Sequence, residues 1–151
     1  MYYNGYGVLQ DSQKAALWYQ QSARAGHIIA QHNIGALYYK GQGVRRSYNY
    51  AHKWFQKAAL QGHSDSQYNL AVMYFAAKGI PQNRKLAFKW FTLAARQGDV
   101  NAQYNVAAMY FKGIGVDKNM IQAFKWHTRA ARNGHTISQS WLRAQLQKKS
   151  H

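Results

Sequence analysis

Four carboxylates and seven histidines are the side chains of this 151-residue sequence that could move protons or hold a metal. Acid–base catalysis by paired carboxylates would need two of Asp11, Asp65, Asp99 and Asp117 to face one another. All four fall at expected turns or helix starts, where Asp caps backbone N–H groups. His27, His63 and His135 share one column of a pattern that recurs along the chain. Equivalent residues of stacked helices stand at least about 9 Å apart, whereas a metal draws its ligands to about 2 Å, so that column cannot share an ion. No cysteine is present, which removes thiolate nucleophiles, disulfides and Cys-based metal sites together. Every Gly-x-Gly belongs to a recurring turn and not to a phosphate-binding loop or nucleophile elbow. The sequence therefore offers no catalytic residue, no metal-ligand set and no cofactor site, and it reads as a non-enzyme.

Two other patterns point to binding. His32, Ala36 and Tyr39, then Tyr68, Val72 and Phe75, then Tyr104, Ala108 and Phe111, fall at i, i+4 and i+7. Each set forms a helix stripe opposite the face that carries Ile34, Leu37 and their copies, so these helices are apolar nearly all round. The second apolar stripe is expected to line a groove that takes a partner, with Asn33, Asn69 and Asn105 beside it; packing within the array is the competing reading. Positive charge keeps the same register: Lys53, Lys89 and Lys125 form one column, Arg24, Arg96 and Arg132 another, and Lys57 with Arg129 a third. These columns are expected opposite Trp54 and Ala58, facing solvent on the other side of each repeat, where they would steer an acidic partner.

The elements that must position these residues are copies of one another. Trp18, Trp54, Trp90 and Trp126 recur every 36 residues, as do Gly26, Gly62, Gly98 and Gly134, and Gln31, Gln67, Gln103 and Gln139. A fixed period in this range is the signature of a solenoid. Glycine turns at residues 41–43, 77–79 and 113–115 separate two helices per period, expected near 29–40 and 47–61 and at their equivalents; Ala77 and Pro81 should make the third turn locally different. Residues 1–8 read as the last turn of a helix followed by the turn Gly5-Tyr6-Gly7. Small columns such as Ala23, Ala59, Ala95 and Ala131 let helices approach closely, and the Trp and Tyr columns fill the larger gaps. Residues 137–148 read as a terminal cap, with Leu146 and Gln147 where the preceding copy has Tyr110 and Phe111. The expectation is an all-α domain over 1–151, with about four helix-pair repeats and a C-terminal capping helix.

Composition sets limits on partners. Twenty Lys and Arg stand against four acidic residues, a formal net charge of +16, which points to an acidic partner and opposes self-association, so a monomer is expected. No run approaches the 18 or so apolar residues of a membrane span. The start MYYNGYGV has no basic stretch followed by an apolar one, and Tyr3 and Gly5 align with Tyr39 and Gly41, as in a chain that begins inside a repeat; the compartment stays open.

The stretches Ala30-Gln31-His32-Asn33-Ile34-Gly35-Ala36-Leu37-Tyr38, Gly41-Gln42-Gly43-Val44, Ala51-His52-Lys53-Trp54-Phe55 and Ala58-Ala59-Leu60-Gln61-Gly62 resemble the Sel1-like repeat, a relative of the tetratricopeptide repeat. That resemblance implies a right-handed superhelix of antiparallel helix pairs whose first helices line the concave side. It implies use as a protein-interaction scaffold, with bacterial members in the periplasm or secreted, in host interaction or as immunity proteins against toxic effectors. The absence of Cys separates this chain from the family's Cys-rich branch. Nucleic-acid or anionic-surface binding through the basic columns is the alternative; it is disfavoured by the expected placement of basic and aromatic residues on opposite faces.

Overall fold

The computed structural model describes residues 4–148, with side chains from residue 10 onward. Among the described residues there are eight helices and no strand: α1 (Asn4–Arg24), α2 (Ile28–Lys40), α3 (Tyr48–Leu60), α4 (Ser64–Ala76), α5 (Arg84–Arg96), α6 (Val100–Lys112), α7 (Met120–Arg132) and α8 (Thr136–Lys148). They divide into two compact units, Met1–Gln82 with α1 to α4 and Asn83–His151 with α5 to α8. In each unit every helix packs on the next one along the chain.

Local chemistry sets the helix ends. Ser47, Asn83 and Asn119 occupy one column and cap α3, α5 and α7, accepting from the backbone N–H of Tyr50, Leu86 and Gln122. Asp99 caps α6 by accepting from the Ala102 N–H at 2.7 Å, the capping role its type suggests. Asp11 belongs to the column of Ser47, yet it lies inside α1. This corrects the turn expected at residues 5–7, whose backbone is helical and continuous with α1. In the later copy the turn is held by bonds to the preceding helix, such as Gly41 N–H to Leu37 and Ser47 N–H to Tyr38, and the matching acceptors here would be residues 1 and 2, outside the described residues.

The third turn is a second correction. Ala77 adopts the left-handed conformation at φ 54°, close to Gly41 at 71° and Gly113 at 69°, and like them it returns its N–H to the helix it ends. The turn thus keeps its geometry, and the strain falls on one alanine. The other glycine of each turn makes a contact between successive repeats: a Cβ on Gly43 would collide with the Ser12 carbonyl, and one on Gly115 with that of Arg84.

Small and branched residues form the cores. In unit 1, Ala16, Ala23, Ala30 and Ile34 cluster under Tyr19, Leu37, Tyr38, Val44 and Trp54, while Ala51, Phe55 and Met73 gather beneath Ala36, Tyr38, Tyr39, Tyr48 and Ile80. In unit 2, Ala87, Phe91, Ala94, Ala102, Val106, Ala107 and Ala123 are buried. The tryptophan column is not uniformly buried as its periodicity suggests. Trp90 is 7% exposed, Trp54 and Trp126 are half-buried, and Trp18 is 64% exposed. Trp54 packs on the Ala16–Ile34 cluster, which α1 and α2 form together, and Trp18 has no such cluster among the described residues.

Candidate functional site

The stripe on α2 is half-buried, and its residues reach across to the following helices. The Tyr39 ring lies 5.1 Å from that of Tyr48 and 6.4 Å from that of Phe55, both on α3. His32 lies 5.6 Å from Phe55 and 4.6 Å from His63, centroid to centroid. On α6, Tyr104 stacks on His135 at 4.5 Å and 22°, and Phe111 meets Trp141 edge-on at 5.6 Å. This corrects the placement of His32, Tyr39, Tyr104 and Phe111 outside the helix-to-helix packing. A first helix faces both its own partner and the next repeat, so its second apolar stripe becomes a seam whose outer edge stays accessible. Tyr68, Val72, Asn33, Asn69 and Asn105 are half-buried, while Phe75 is 39% exposed. The recurring side-chain bonds from these helices to the helix before them come from the Gln column.

Inside the seam lie two clusters that periodicity does not reveal. The Ser66 Oγ stands 2.9 Å from His32 Nδ1 and 3.0 Å from His63 Nδ1, and the Ser66 N–H donates to that same His63 nitrogen at 3.2 Å. His63 Nδ1 is therefore an acceptor without a proton. One arrangement satisfies every atom: His32 Nδ1–H donates to the serine oxygen, and the hydroxyl donates to His63. The second cluster repeats it: Ser138 Oγ lies 3.1 Å from both His127 Nδ1 and His135 Nδ1, and the Ser138 N–H donates to His135. Ser66 and Ser138 have 0% exposure, so neither hydroxyl can reach a substrate despite its nucleophile-to-base spacing. Burial lowers the pKa of His127 to about 4, assisted by the neighbouring His135, and its ring stacks on Trp141 at 4.1 Å. His32 is lowered by burial first and by His63 second, with Asp65 opposing and Lys40 reinforcing the shift; burial also lowers His52. The sequence signal for these clusters was present: His127 interrupts the column of Tyr19, Phe55 and Phe91, and Ser66 and Ser138 replace Ala30 and Ala102.

Among the described residues, no group of three or more His or Asp could hold a metal ion, and no helix is long and apolar enough to cross a membrane. The cations Lys53, Lys57, Lys89, Arg96, Lys125, Arg129 and Arg132 are all exposed. Lys57, Lys89 and Arg129 do not lie opposite the tryptophans as expected. The Lys57 ammonium sits 4.9 Å from the Trp54 ring, Lys89 5.7 Å from Trp90 and Arg129 5.5 Å from Trp126, while Lys53 stands 5.7 Å from Tyr50. Lys57, Arg129 and Lys53 each stand three residues after their ring, and i and i+3 share a helix face, so the long cationic side chain lies back over the ring.

The Sel1 repeat family model matches residues 1–27, 28–63, 64–99 and 100–135. The chain is similar to c5321, a protective antigen present in uropathogenic Escherichia coli strains, at 36% identity and a TM-score of 0.78; the match covers 80% of this chain and 26% of that one. The chain thus spans about a quarter of that antigen. It is also similar to a Sel1 repeat protein from Oxalobacter formigenes, at 31% identity and a TM-score of 0.78, over 85% of this chain and 96% of that one. Helicobacter pylori cysteine rich protein B, at 19% identity and a TM-score of 0.68 over 88% and 96%, shares the fold. No curated protein matches. The fold is an all-α repeat solenoid. Sel1-repeat proteins are generally protein-interaction scaffolds and are not typically enzymes. The four matched repeats and the shared architecture place this chain in the Sel1 repeat family.

Proposed function

We propose that this chain is a non-enzymatic scaffold that captures a partner protein with an acidic surface. Contact is made on the outer edge of the stripe, by His32, Asn33, Tyr39, Tyr68, Asn69, Val72 and Phe75 in unit 1 and by Tyr104, Asn105 and Phe111 in unit 2. The exposed cationic columns steer the approach. Steering of this kind raises the association rate more than it lengthens residence. A bacterial effector-neutralising or host-interaction role is its concrete form, in keeping with the bacterial neighbours and with the E. coli relative's description as a protective antigen.

The observation that carries the reading is the cover on the surface rings. Lys57 and Arg129 lie over the half-buried Trp54 and Trp126, and Trp90 beside Lys89 is buried, so these three rings do not leave open π surfaces for bases to stack on. Beside those cations the charge is exposed and the tryptophan rings are covered, which suits an acidic protein better than a single strand. The test is affinity capture at physiological salt followed by mass spectrometry, with a random single-stranded oligonucleotide measured in parallel. A discrete protein that binds the purified chain directly supports the reading. Tight oligonucleotide binding that Lys53→Gln, Lys89→Gln and Lys125→Gln abolish together would replace it with the nucleic-acid reading.

A further inference from the structure

A second recognition element lies in unit 1, away from the α2 seam. The last turn of α1, α2 and α3 enclose a cavity of about 180 Å³ whose lining includes Arg24, Tyr38, Tyr50, Lys53, Trp54 and Lys57. None of its lining residues is acidic. Its walls are aromatic: the Tyr38 and Tyr50 rings stand 5.1 Å apart at 32°, and the Trp54 ring packs on the Ala16–Ile34 cluster behind it. Two ammonium groups rest on those walls, Lys53 on Tyr50 at 5.7 Å and Lys57 on Trp54 at 4.9 Å. A ring face satisfies an ammonium on one side only. Its remaining N–H donors, and those of the Arg24 guanidinium, are open to a ligand.

We infer that this cavity is a carboxylate-binding pocket, seating an Asp or Glu side chain from an acidic segment of a protein partner. Its size excludes much else: small-molecule sites commonly measure about 300–1,000 Å³, and this one has room for a side chain. Its charge calls for an anion, and the planar guanidinium of Arg24 matches a carboxylate in two-point contact while the lysines add charge-assisted bonds. The aromatic walls displace water from one side of the ion pair, which strengthens the attraction. A nucleotide base fits poorly, because Trp54 is packed on the core and covered by Lys57. The same cationic set recurs two periods later as Arg96, Lys125 and Arg129, with Arg129 over Trp126. The intervening copy carries Leu60 and Leu93 in the columns of Arg24 and Lys57. Charge is thus grouped at particular repeats and not spread evenly over the period.

This inference deepens the acidic-partner reading and rests on it for the identity of the ligand. The experiment titrates the whole chain with a capped hexaglutamate peptide at physiological salt, following the Trp54 indole N–H by NMR, with hexaglutamine, inorganic phosphate and oligothymidylate as comparisons. Hexaglutamate should shift Trp54 and hexaglutamine should not. Replacing Arg24, Lys53 and Lys57 by Gln together should weaken binding about tenfold or more, since each ion pair adds modestly and the three act on one group. The same loss of charge at exposed sites outside the pocket, through Lys14→Gln, Lys85→Gln and Lys112→Gln, should leave the affinity within about twofold. An unmoved Trp54, an equal loss from the second triple variant, or tighter binding of phosphate or oligothymidylate would each overturn the pocket. Hexaglutamate has no apolar anchor, so the two readings fail separately. Peptide binding without any protein partner would sink the scaffold reading alone, and a Phe75-dependent partner without peptide binding would sink the pocket alone.

Discussion

Gln103 donates its Nε2 to the carbonyl of Ala95 at 3.2 Å, and Gln31 and Gln67 make the same bond to Ala23 and Ala59. Each glutamine reaches back to a carbonyl near the end of the last helix of the preceding repeat. Its other amide atom links within its own repeat: Gln61 donates to Gln31 Oε1 at 2.7 Å, and Asn133 donates to Gln103 Oε1 at 3.0 Å. A column of buried amides thus joins helices within a repeat and from one repeat to the next. Gln103 is 1% exposed, so Gln103→Met would remove both bonds of a buried amide at nearly constant volume, the one to the Ala95 carbonyl, which keeps the Gly98 N–H, and the one from Asn133. The expected loss is about 1–3 kcal/mol in urea unfolding. A loss within about 0.5 kcal/mol would show that the amide contributes shape and not bonding.

Ala77 makes the opposite prediction. An alanine in the left-handed region costs about 1–2 kcal/mol relative to its ordinary conformations, partly offset by the entropy glycine would lose on folding. Ala77→Gly should therefore stabilise the chain by about 0.5–1 kcal/mol, read as a higher denaturant midpoint at unchanged slope. Gly41→Ala should destabilise by more than Ala77→Gly gains, because its new methyl would also meet the Arg46 Cβ at 2.9 Å. A destabilised Ala77→Gly would contradict the strain assigned to this turn.

The tryptophan column tests burial against periodicity. Trp90→Ala removes a side chain from the core of unit 2 and should cost about 3–5 kcal/mol. Trp18→Ala, at the equivalent position, should cost less than about 1 kcal/mol because its ring is largely in solvent. Equal losses at the two positions would mean that Trp18 is covered.

Acid should loosen the second histidine cluster in a defined window. Above about pH 6.5, His127 is neutral in both the folded and the unfolded chain and contributes no pH dependence. As pH falls from there, the unfolded chain binds a proton that the folded chain refuses until about pH 4. Stability should fall across that interval, by about 3 kcal/mol from this group. His32 and His52 shift in the same direction and add to the slope. His127→Phe, which restores the residue type found at positions 55 and 91, should flatten the curve between pH 6.5 and 4. An unchanged slope would place the acid sensitivity elsewhere.

The repeat register made the helix pairs, their glycine stops and the small-residue columns legible, because each depends on spacing within one copy. What the period concealed depends on how side chains of neighbouring helices meet, within a copy and from one copy to the next. Tyr39 and Phe111 look like free groove residues on a helical wheel, and only the approach of Tyr48 and Trp141 turns them into seam residues. Trp141 lies in the column of Asn33, Asn69 and Asn105, where no aromatic precedes it, so its stacking on His127 has no periodic signal. Likewise, the cationic register points Lys57 away from Trp54, although three residues along a helix bring the two together. The exposed state of the seven cations follows from their register alone.

The scaffold claim is tested most directly at Phe75, the stripe aromatic that remains 39% exposed. The measurement is the dissociation constant of the captured partner protein for the parent chain and for Phe75→Ala, taken alongside their thermal midpoints. An anchor of this kind is worth about 2 kcal/mol or more to binding and little to folding. The account predicts at least about a thirtyfold weaker complex with the midpoint essentially unchanged. Unaltered affinity would contradict it, as would a loss of binding accompanied by several kcal/mol of lost stability.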